Sequence, residues 1–320
     1  MIRPYELVMV KGNTGYMKAP VLIPFYLLDA NHCIILDTGK NLMREGIVKT
    51  LEENDLVPVG IFCTHTHYDH YGNAGFLAEK YQCPIALPLG EAEISRTLAA
   101  VKSHVFAFSA GQVARDPKMA AIPCVTDHII RPKDKETFFC GIRFEVLHTR
   151  GHAIDHISII TPDKVCYVGD ALMCGAALET AKLPYAFDLG EHLKSIELLR
   201  GIKCTHMIMA HRGVYKAPFD ELIDENLNLV RKEIQAVADL IDRPMKEEEI
   251  YQTVQSAMGI QIRKPEEALN MKCFLQPYLE YLIDQDILKQ SIMDQVLCYE
   301  PSGDCRLYHA INGMGLNKRL

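Results

Sequence analysis

Three histidines and an aspartate fall within six consecutive positions, His65-Thr66-His67-Tyr68-Asp69-His70, directly after the apolar run Val59-Gly60-Ile61-Phe62-Cys63. Imidazole and carboxylate are the ordinary ligands of divalent transition metals. A peptide this short cannot aim four groups at one ion without strain, but it can divide them between two adjacent ions. His65 and His67 alternate as residues do at the end of an extended strand. Asp69 and His70 come after the backbone has begun to turn. One pair can serve one metal and the other pair a second. A lone histidine is usually a packed or surface residue, but three with an aspartate at this density exceed what packing asks for. The flanks are apolar, unlike those of a disordered His-rich tract.

Further candidates stand in the same local setting. Gly151-His152 follows the apolar run Ile142 to Leu147, Gly169-Asp170 follows Val165-Cys166-Tyr167-Val168, and His211 follows Met207-Ile208-Met209-Ala210. Each lies just past a short β-like run. If those strands are neighbours in one sheet, their ends converge on a single rim. Ligands on loops held by a rigid sheet are the expected geometry for such a site.

Taken in order, His-x-His-x-Asp-His, Gly-His, Gly-Asp and a late His resemble the metallo-β-lactamase superfamily over roughly Leu7 to Gly213. Asp37-Thr38-Gly39, after Cys33-Ile34-Ile35-Leu36, resembles that family's early Asp-x-Gly turn. The resemblance implies an α/β fold, a four-layer αββα sandwich with metals at one edge of its two sheets. It implies that His65, His67 and His152 hold a first metal, that Asp69, His70 and His211 hold a second, and that Asp170 bridges them. The oxygen-reducing di-iron branch resembles His-x-Glu-x-Asp-His, whereas this chain has His67 at the glutamate position. Hydrolysis is therefore expected over redox chemistry. Many class B β-lactamases place a cysteine at the position matched here by Asp170, so antibiotic hydrolysis is not expected.

Two adjacent cations define the expected chemistry. A metal lowers the pKa of bound water from about 16 to about 7, and two metals about 3.5–4 Å apart can hold the resulting hydroxide and polarise a scissile carbonyl or phosphoryl oxygen. Fixed charge then stabilises the oxyanion. Asp170 suits a bridge because a carboxylate has two oxygens. Asp69 can hold one metal and hydrogen-bond the hydroxide, which makes it the candidate proton shuttle. Zinc suits the ligands, and iron or manganese can occupy the same set. His156 resembles a supporting histidine of several family branches, and Asp37 suits a hydrogen-bond partner for a ligand imidazole. His32, His104, His128, His192, His206 and His309 have no ligand spacing and read as structural or surface residues, and His148 as a packing residue.

At 320 residues the chain has room for one large domain and a smaller one. No run approaches the ~18 apolar residues of a membrane helix, and Met1 to Glu6 lacks an apolar signal core. Eleven cysteines are scattered without a Cys-x-x-Cys pair. Buried free thiols in a cytoplasmic protein fit that pattern.

Residues 1–218 alternate β-like runs with helical stretches at Asn73–Gln82, Glu91–Val105 and Glu191–Leu199. Lys102 to Asp134, with its four Gly and Pro residues, reads as an active-site flap. From 219 to 320 the character changes to a smaller, mainly helical domain. Phe219–Leu240 is a long amphipathic pattern. A second helix opens at Lys246, with Ile250, Val254 and Met258 at i, i+4, i+8. Leu269–Gln285 gives a third. Val296–Tyr299 and Cys305–Tyr308 flank the turn residues Pro301-Ser302-Gly303-Asp304 and suggest a hairpin. Three helices and a hairpin resemble a winged-helix module. Residues 220–320 carry 11 Lys+Arg against 18 Asp+Glu, while the rest of the chain carries 23 of each. Nucleic-acid affinity rests on Lys and Arg neutralising phosphates, so nucleic acid is not the expected partner. Packing on the catalytic domain, shaping the pocket or forming a homodimer contact suits the acidic module better.

The expectation is a cytoplasmic two-metal hydrolase of a small ester, thioester or lactone. The resemblance includes hydroxyacylglutathione hydrolase, whose C-terminal region supplies cations that this acidic tail has no clear equivalent for. The alternatives are a phosphodiesterase or endoribonuclease acting through the same metals, and a non-catalytic metal-dependent sensor or scaffold.

Overall fold

The first strands pair with their chain neighbours and then switch to parallel crossovers. In the computed structural model, which describes residues 3–211 and 213–303, seven strands form a sheet in chain order. They are β1 (Leu7–Lys11), β2 (Thr14–Met17), β3 (Ile23–Leu27), β4 (His32–Leu36), β5 (Val57–Phe62), β6 (Ile85–Pro88) and β7 (His128–Ile130). β1 to β4 run antiparallel, and β4 to β7 run parallel. The helices α1 (Arg44–Glu53), α2 (Tyr68–Tyr71), α3 (Ala74–Tyr81) and α4 (Leu89–Ile94) occupy the crossovers.

α5 (Leu98–His104), α6 (Ala110–Arg115) and α7 (Pro117–Ala120) precede β7. The expected single helix from 91 to 105 is broken. Helix α4 ends at Ser95, and Thr97 caps α5 by accepting from Ala100 N–H. Cap-forming Thr side chains favour a new helix start over continuation. The 102–134 segment is not a free flap along its length, because Phe108, Val113, Ile122 and Ile130 are buried in the main core.

The second sheet comprises β8 (Glu136–Phe139), β9 (Ile142–His148), β10 (Ile157–Ile160), β11 (Val165–Tyr167), β12 (His206–Met209) and β13 (Gly213–Lys216), in the order β13-β12-β11-β10-β9-β8. Only the β11–β12 pair is parallel. The two sheets face each other through aromatic edges: Phe62 lies 5.8 Å from Phe139 and 5.5 Å from Phe144, and Tyr26 lies 5.9 Å from Phe144. Gly60, two residues before Phe62 on the same face, leaves room for this contact. A Cβ there would stand 2.7 Å from the Phe139 ring.

The second sheet's outer face is covered by α9 (Leu189–Leu198) and by α10 (Asp220–Asp239), and α8 (Gly175–Thr180) precedes α9. Ile223, Leu227, Val230, Ile234 and Val237 form one helical stripe of α10 and share a buried cluster with Val168, Met207 and Met209. The remaining elements are β14 (Met245–Lys246), α11 (Glu247–Ala257), α12 (Pro265–Asp284), β15 (Leu288–Met293) and β16 (Val296–Pro301). β14, β16 and β15 make a small antiparallel sheet. Val296–Pro301 pairs backward with Leu288–Met293 around Asp294 and Gln295, both at positive φ. The expected second strand, 305–308, lies outside the described residues. All described cysteines are free thiols, with Cys33, Cys63 and Cys166 buried. Among the described residues no helix is long and apolar enough to cross a membrane.

Candidate metal centre

Both sheets contribute strand ends to one rim. In the first sheet, β4 runs into Asp37, and β5 runs into Thr64 to His67 and then α2, which carries Asp69 and His70. In the second, β9, β11 and β12 end before His152, Asp170 and His211 respectively. The expectation of a single sheet holds for these last three alone. The Asp69–His70 turn comes from across the sandwich.

The predicted residues converge. One ligand atom each from His65, His67 and His152 lies within 4.8 Å of the others, and the same holds for Asp69, His70 and His211. Asp170 sits between the groups: its Oδ2 is 3.1 Å from His70 Nε2, 3.4 Å from His152 Nε2 and 3.4 Å from His211 Nε2. Asp69 Oδ2 stands 3.7 Å from His211 Nε2.

Hydrogen bonds around Asp37 set the imidazole tautomers. Its two oxygens accept from Thr64 N–H (2.7 Å), the Thr64 hydroxyl (2.8 Å), His70 Nδ1–H (2.7 Å) and the Tyr167 hydroxyl (2.6 Å). The Thr64 proton is thereby committed, so His65 Nδ1, 2.9 Å away, must donate to the Thr64 oxygen. His65 Nε2 is left as a bare lone pair, buried and without a partner. His70, donating through Nδ1, likewise turns its Nε2 lone pair toward Asp170, whose Oδ1 is also buried without a hydrogen bond. Lone pairs gathered at one point require a proton or a cation between them. The donor set of imidazoles and carboxylates at this spacing fits divalent transition metals. Asp37 also lies within 4.8 Å of the His65 and His70 ligand atoms, but its four donors saturate it, so it acts by orienting them.

His156 is buried at 0% exposure and holds the Asp170 turn. Its Nε2 accepts from Asp170 N–H (3.2 Å), and its Nδ1 lies 2.9 Å from the Thr149 hydroxyl. Gly169, at φ +52°, makes this possible, since a Cβ there would stand 2.6 Å from His156 Nε2. Gly151, at φ +114°, similarly admits the backbone of His192, 2.1 Å from the Cβ it lacks.

Burial lowers the pKa of most of these rings. It brings His152 down to about 3 and His156 and His192 to about 4, and holds His65 and His67 well below the ordinary value. Burial also opposes charge on His70, but hydrogen bonds and attraction from Asp170 and Asp37 raise it well above that value. The hydrogen bond to Asp170 raises His211. Asp170 is disfavoured as an anion by burial, yet the charges of His70 and His211 carry it well below the carboxylate range. Asp170 is thereby held as an anion beside His70 and His211.

Some residues at the site had no ligand spacing to announce them. His104 Nε2 lies 3.3 Å from His67 Nε2, and the His104 ring stacks on Phe187 at 6.0 Å. His192 packs 6.4 Å from His152. Both, expected as structural or surface residues, pack as walls of the site. Buried Glu91 accepts from Thr66 N–H, the Thr66 hydroxyl and Asp155 N–H, clamping the first ligand loop to the loop after His152. Tyr185 lies 5.4 Å from His67 and 5.7 Å from His152.

Comparison with known proteins agrees with this geometry. The hydroxyacylglutathione hydrolase of Idiomarina loihiensis is 29% identical over 147 residues, covering 46% of this chain and 44% of its own length. The match thus spans less than half of that relative. The atrochrysone carboxyl ACP thioesterase of Aspergillus chevalieri is 21% identical over 97% of this chain and 88% of its own. Among solved structures, a beta-lactamase domain protein from Burkholderia ambifaria superposes with a TM-score of 0.67 at 16% identity, covering 92% of this chain and 94% of that one. Residues 20–211, which hold every candidate ligand, match the family model of the metallo-beta-lactamase superfamily, and the chain belongs to that family.

Proposed function

We propose that this chain is a binuclear metal-dependent hydrolase of small esters, thioesters or lactones, with thioesters the first class to test. The observation that carries the reading is the Asp170 carboxylate among three imidazole nitrogens at 3.1–3.4 Å, beside buried lone pairs with no proton donor. His65, His67 and His152 would hold one metal, Asp69, His70 and His211 the other, and Asp170 both. Zinc is the first candidate by ligand type. Bound cations would supply Lewis acidity, making water a competent nucleophile near neutral pH and polarising a carbonyl. The Nδ1–H groups of His65 and His70, held by Thr64 and Asp37, keep the Nε2 atoms of both rings aimed inward. Asp69, half-buried at the open side near His211, is the carboxylate placed to take a proton from the attacking water and return it to the leaving thiol. Water adds its oxygen to the acyl carbon, the C–S bond breaks, and a carboxylic acid and a thiol result.

The relatives support an acyl substrate, since one is named for a hydroxyacyl-glutathione and another as a thioesterase. Residues 219–303 run helix, strand, helix, helix, strand, strand, and we read them as a winged-helix-like unit serving the catalytic part rather than nucleic acid. The test is turnover of an acyl thioester and of single-stranded RNA side by side, with and without chelator, and with Asp170→Ala as control. Thioester cleavage lost in the variant is the expected result. Cleavage of RNA alone, lost in the same variant, would replace the substrate class.

A further inference from the structure

The two ring nitrogens of His67 meet different neighbours. Nδ1 lies 2.9 Å from His152 Nε2, within the candidate ligand set of His65, His67 and His152. Nε2, across the ring, lies 3.3 Å from His104 Nε2. A neutral imidazole carries one N–H and one lone pair. A cation held with His65 and His152 takes the lone pair of Nδ1, so the proton of His67 stands on Nε2, facing His104. The separation is at the long end for an N–H···N bond. A cation on Nδ1 would strengthen that bond, because it makes the Nε2 proton a better donor.

The fold fixes where His104 stands. It is the last residue of α5, and Val101, three residues earlier on the same helix face, is buried in the main core. Beyond it, Val105 N–H donates to Val101 O at 3.1 Å and Phe108 N–H to Val105 O at 3.0 Å, and Phe108 is buried in the same core. On its other side the His104 ring stacks on Phe187, with the planes 19° apart. Phe187 N–H donates to Gly151 O at 2.7 Å, beside His152. His104 is therefore set between a core-anchored helix and the loop that carries a ligand of the same metal.

We infer that His104 is a positioning residue for the first metal: it accepts the Nε2–H of His67 and so keeps the Nδ1 lone pair of His67 turned toward His65 and His152. The inference rests on the metal-binding reading above. It gives the helices of 98–120 a part in the site, although no proposed ligand lies on them. Outer partners of this kind fix the tautomer and the ring orientation of a ligand histidine. Packing alone would ask for an aromatic surface at position 104, whereas this role asks for an acceptor atom.

Two variants of the full chain separate these demands. His104→Phe keeps a ring against Phe187 and removes the acceptor, while His104→Gln removes the ring and keeps an acceptor in its amide oxygen. Zinc affinity is measured by chelator competition. The His67 tautomer is read from long-range proton–nitrogen correlation spectra of the imidazole rings in zinc-free protein, with His67→Asn assigning the signals. We expect His104→Phe to lose about 10–100-fold in affinity at one of the two zinc ions and to mix the two tautomers of His67. His104→Gln should keep most of the affinity and the Nε2–H form. Should one variant melt early, the other decides: affinity kept in His104→Phe, or lost in a folded His104→Gln, overturns the role. Equal affinity in all three proteins with an unchanged tautomer also overturns it and leaves the metal site standing. If the unmodified chain binds no zinc, the metal reading falls. The tautomer then decides the contact by itself: an Nε2–H form lost in His104→Phe and kept in His104→Gln supports it, and one indifferent to both overturns it.

Discussion

Asp37 accepts from four donors, and each donor belongs to a residue that must face one way. Thr64 fixes the tautomer of His65, His70 is held directly, and Tyr167 comes in from the second sheet. Removing the carboxylate frees both ligand rings to turn. Partners of this kind typically affect metal affinity by about 10–100-fold. Asp37→Ala is therefore expected to weaken zinc binding by that order in a chelator competition, and Tyr167→Phe by less, because three donors and the carboxylate remain. Unchanged affinity in Asp37→Ala would mean that packing alone orients the rings. Ligand residues were legible in the sequence because metals accept few side-chain types and the spacing was dense. His104 and Glu91 were not. Each meets the ligand loop only after the chain has returned, 37 and 25 residues away, and ordinary core or surface residues have the same local sequence.

The sequence of α10 reads as a long amphipathic helix opening a smaller domain, and the structure identifies its apolar stripe. What lies against that stripe could not be read, since periodicity gives a face and not its partner. The stripe covers the second sheet, and buried Asn226 interrupts it for a reason. Its Oδ1 accepts from Met173 N–H at 2.8 Å, and its Nδ2 donates to Met173 O at 2.9 Å. This pair ties α10 to the turn that follows Asp170. Asn226→Ala leaves both Met173 backbone groups without a partner, a cost of roughly 2–3 kcal/mol. The melting temperature should fall by several degrees, and amide exchange at 170–174 should quicken more than in the first sheet. A loss of stability with protection at 170–174 unchanged would show that the link does not hold the ligand turn. The helix break at 95–97 and the β15–β16 turn each have a local cause. A Thr cap and a two-residue turn at positive φ are short features that compete with longer hydrophobic patterns.

At the scale of the whole molecule, the metal centre couples folding to pH because the sandwich buries so many histidines at one edge. In the unfolded chain each ring titrates near 6.5. In the folded, metal-free protein, burial holds His65, His67, His152, His156 and His192 below that value, the last two at about 4. Between pH 6.5 and about 4 the unfolded chain thus binds more protons than the native one, and stability falls with acid. His70 and His211 are raised and act in the opposite window. Their contribution is complete below 6.5 and is lost as pH rises through their folded values. The metal-free protein should therefore be most stable near pH 6.5 and decline on both sides, more steeply toward acid because more rings are depressed than raised. Zinc substitutes for the missing protons at the ligand lone pairs and should remove the alkaline decline. His192 is not among the proposed ligands, so His192→Asn isolates one ring. It should reduce the acid slope by about 1.4 kcal/mol per pH unit, the value of one proton. Urea midpoints of the chelator-treated protein from pH 4 to 9 measure all of this, and a flat profile between 4 and 6.5 would mean that the buried rings keep water or protons that this packing does not provide for.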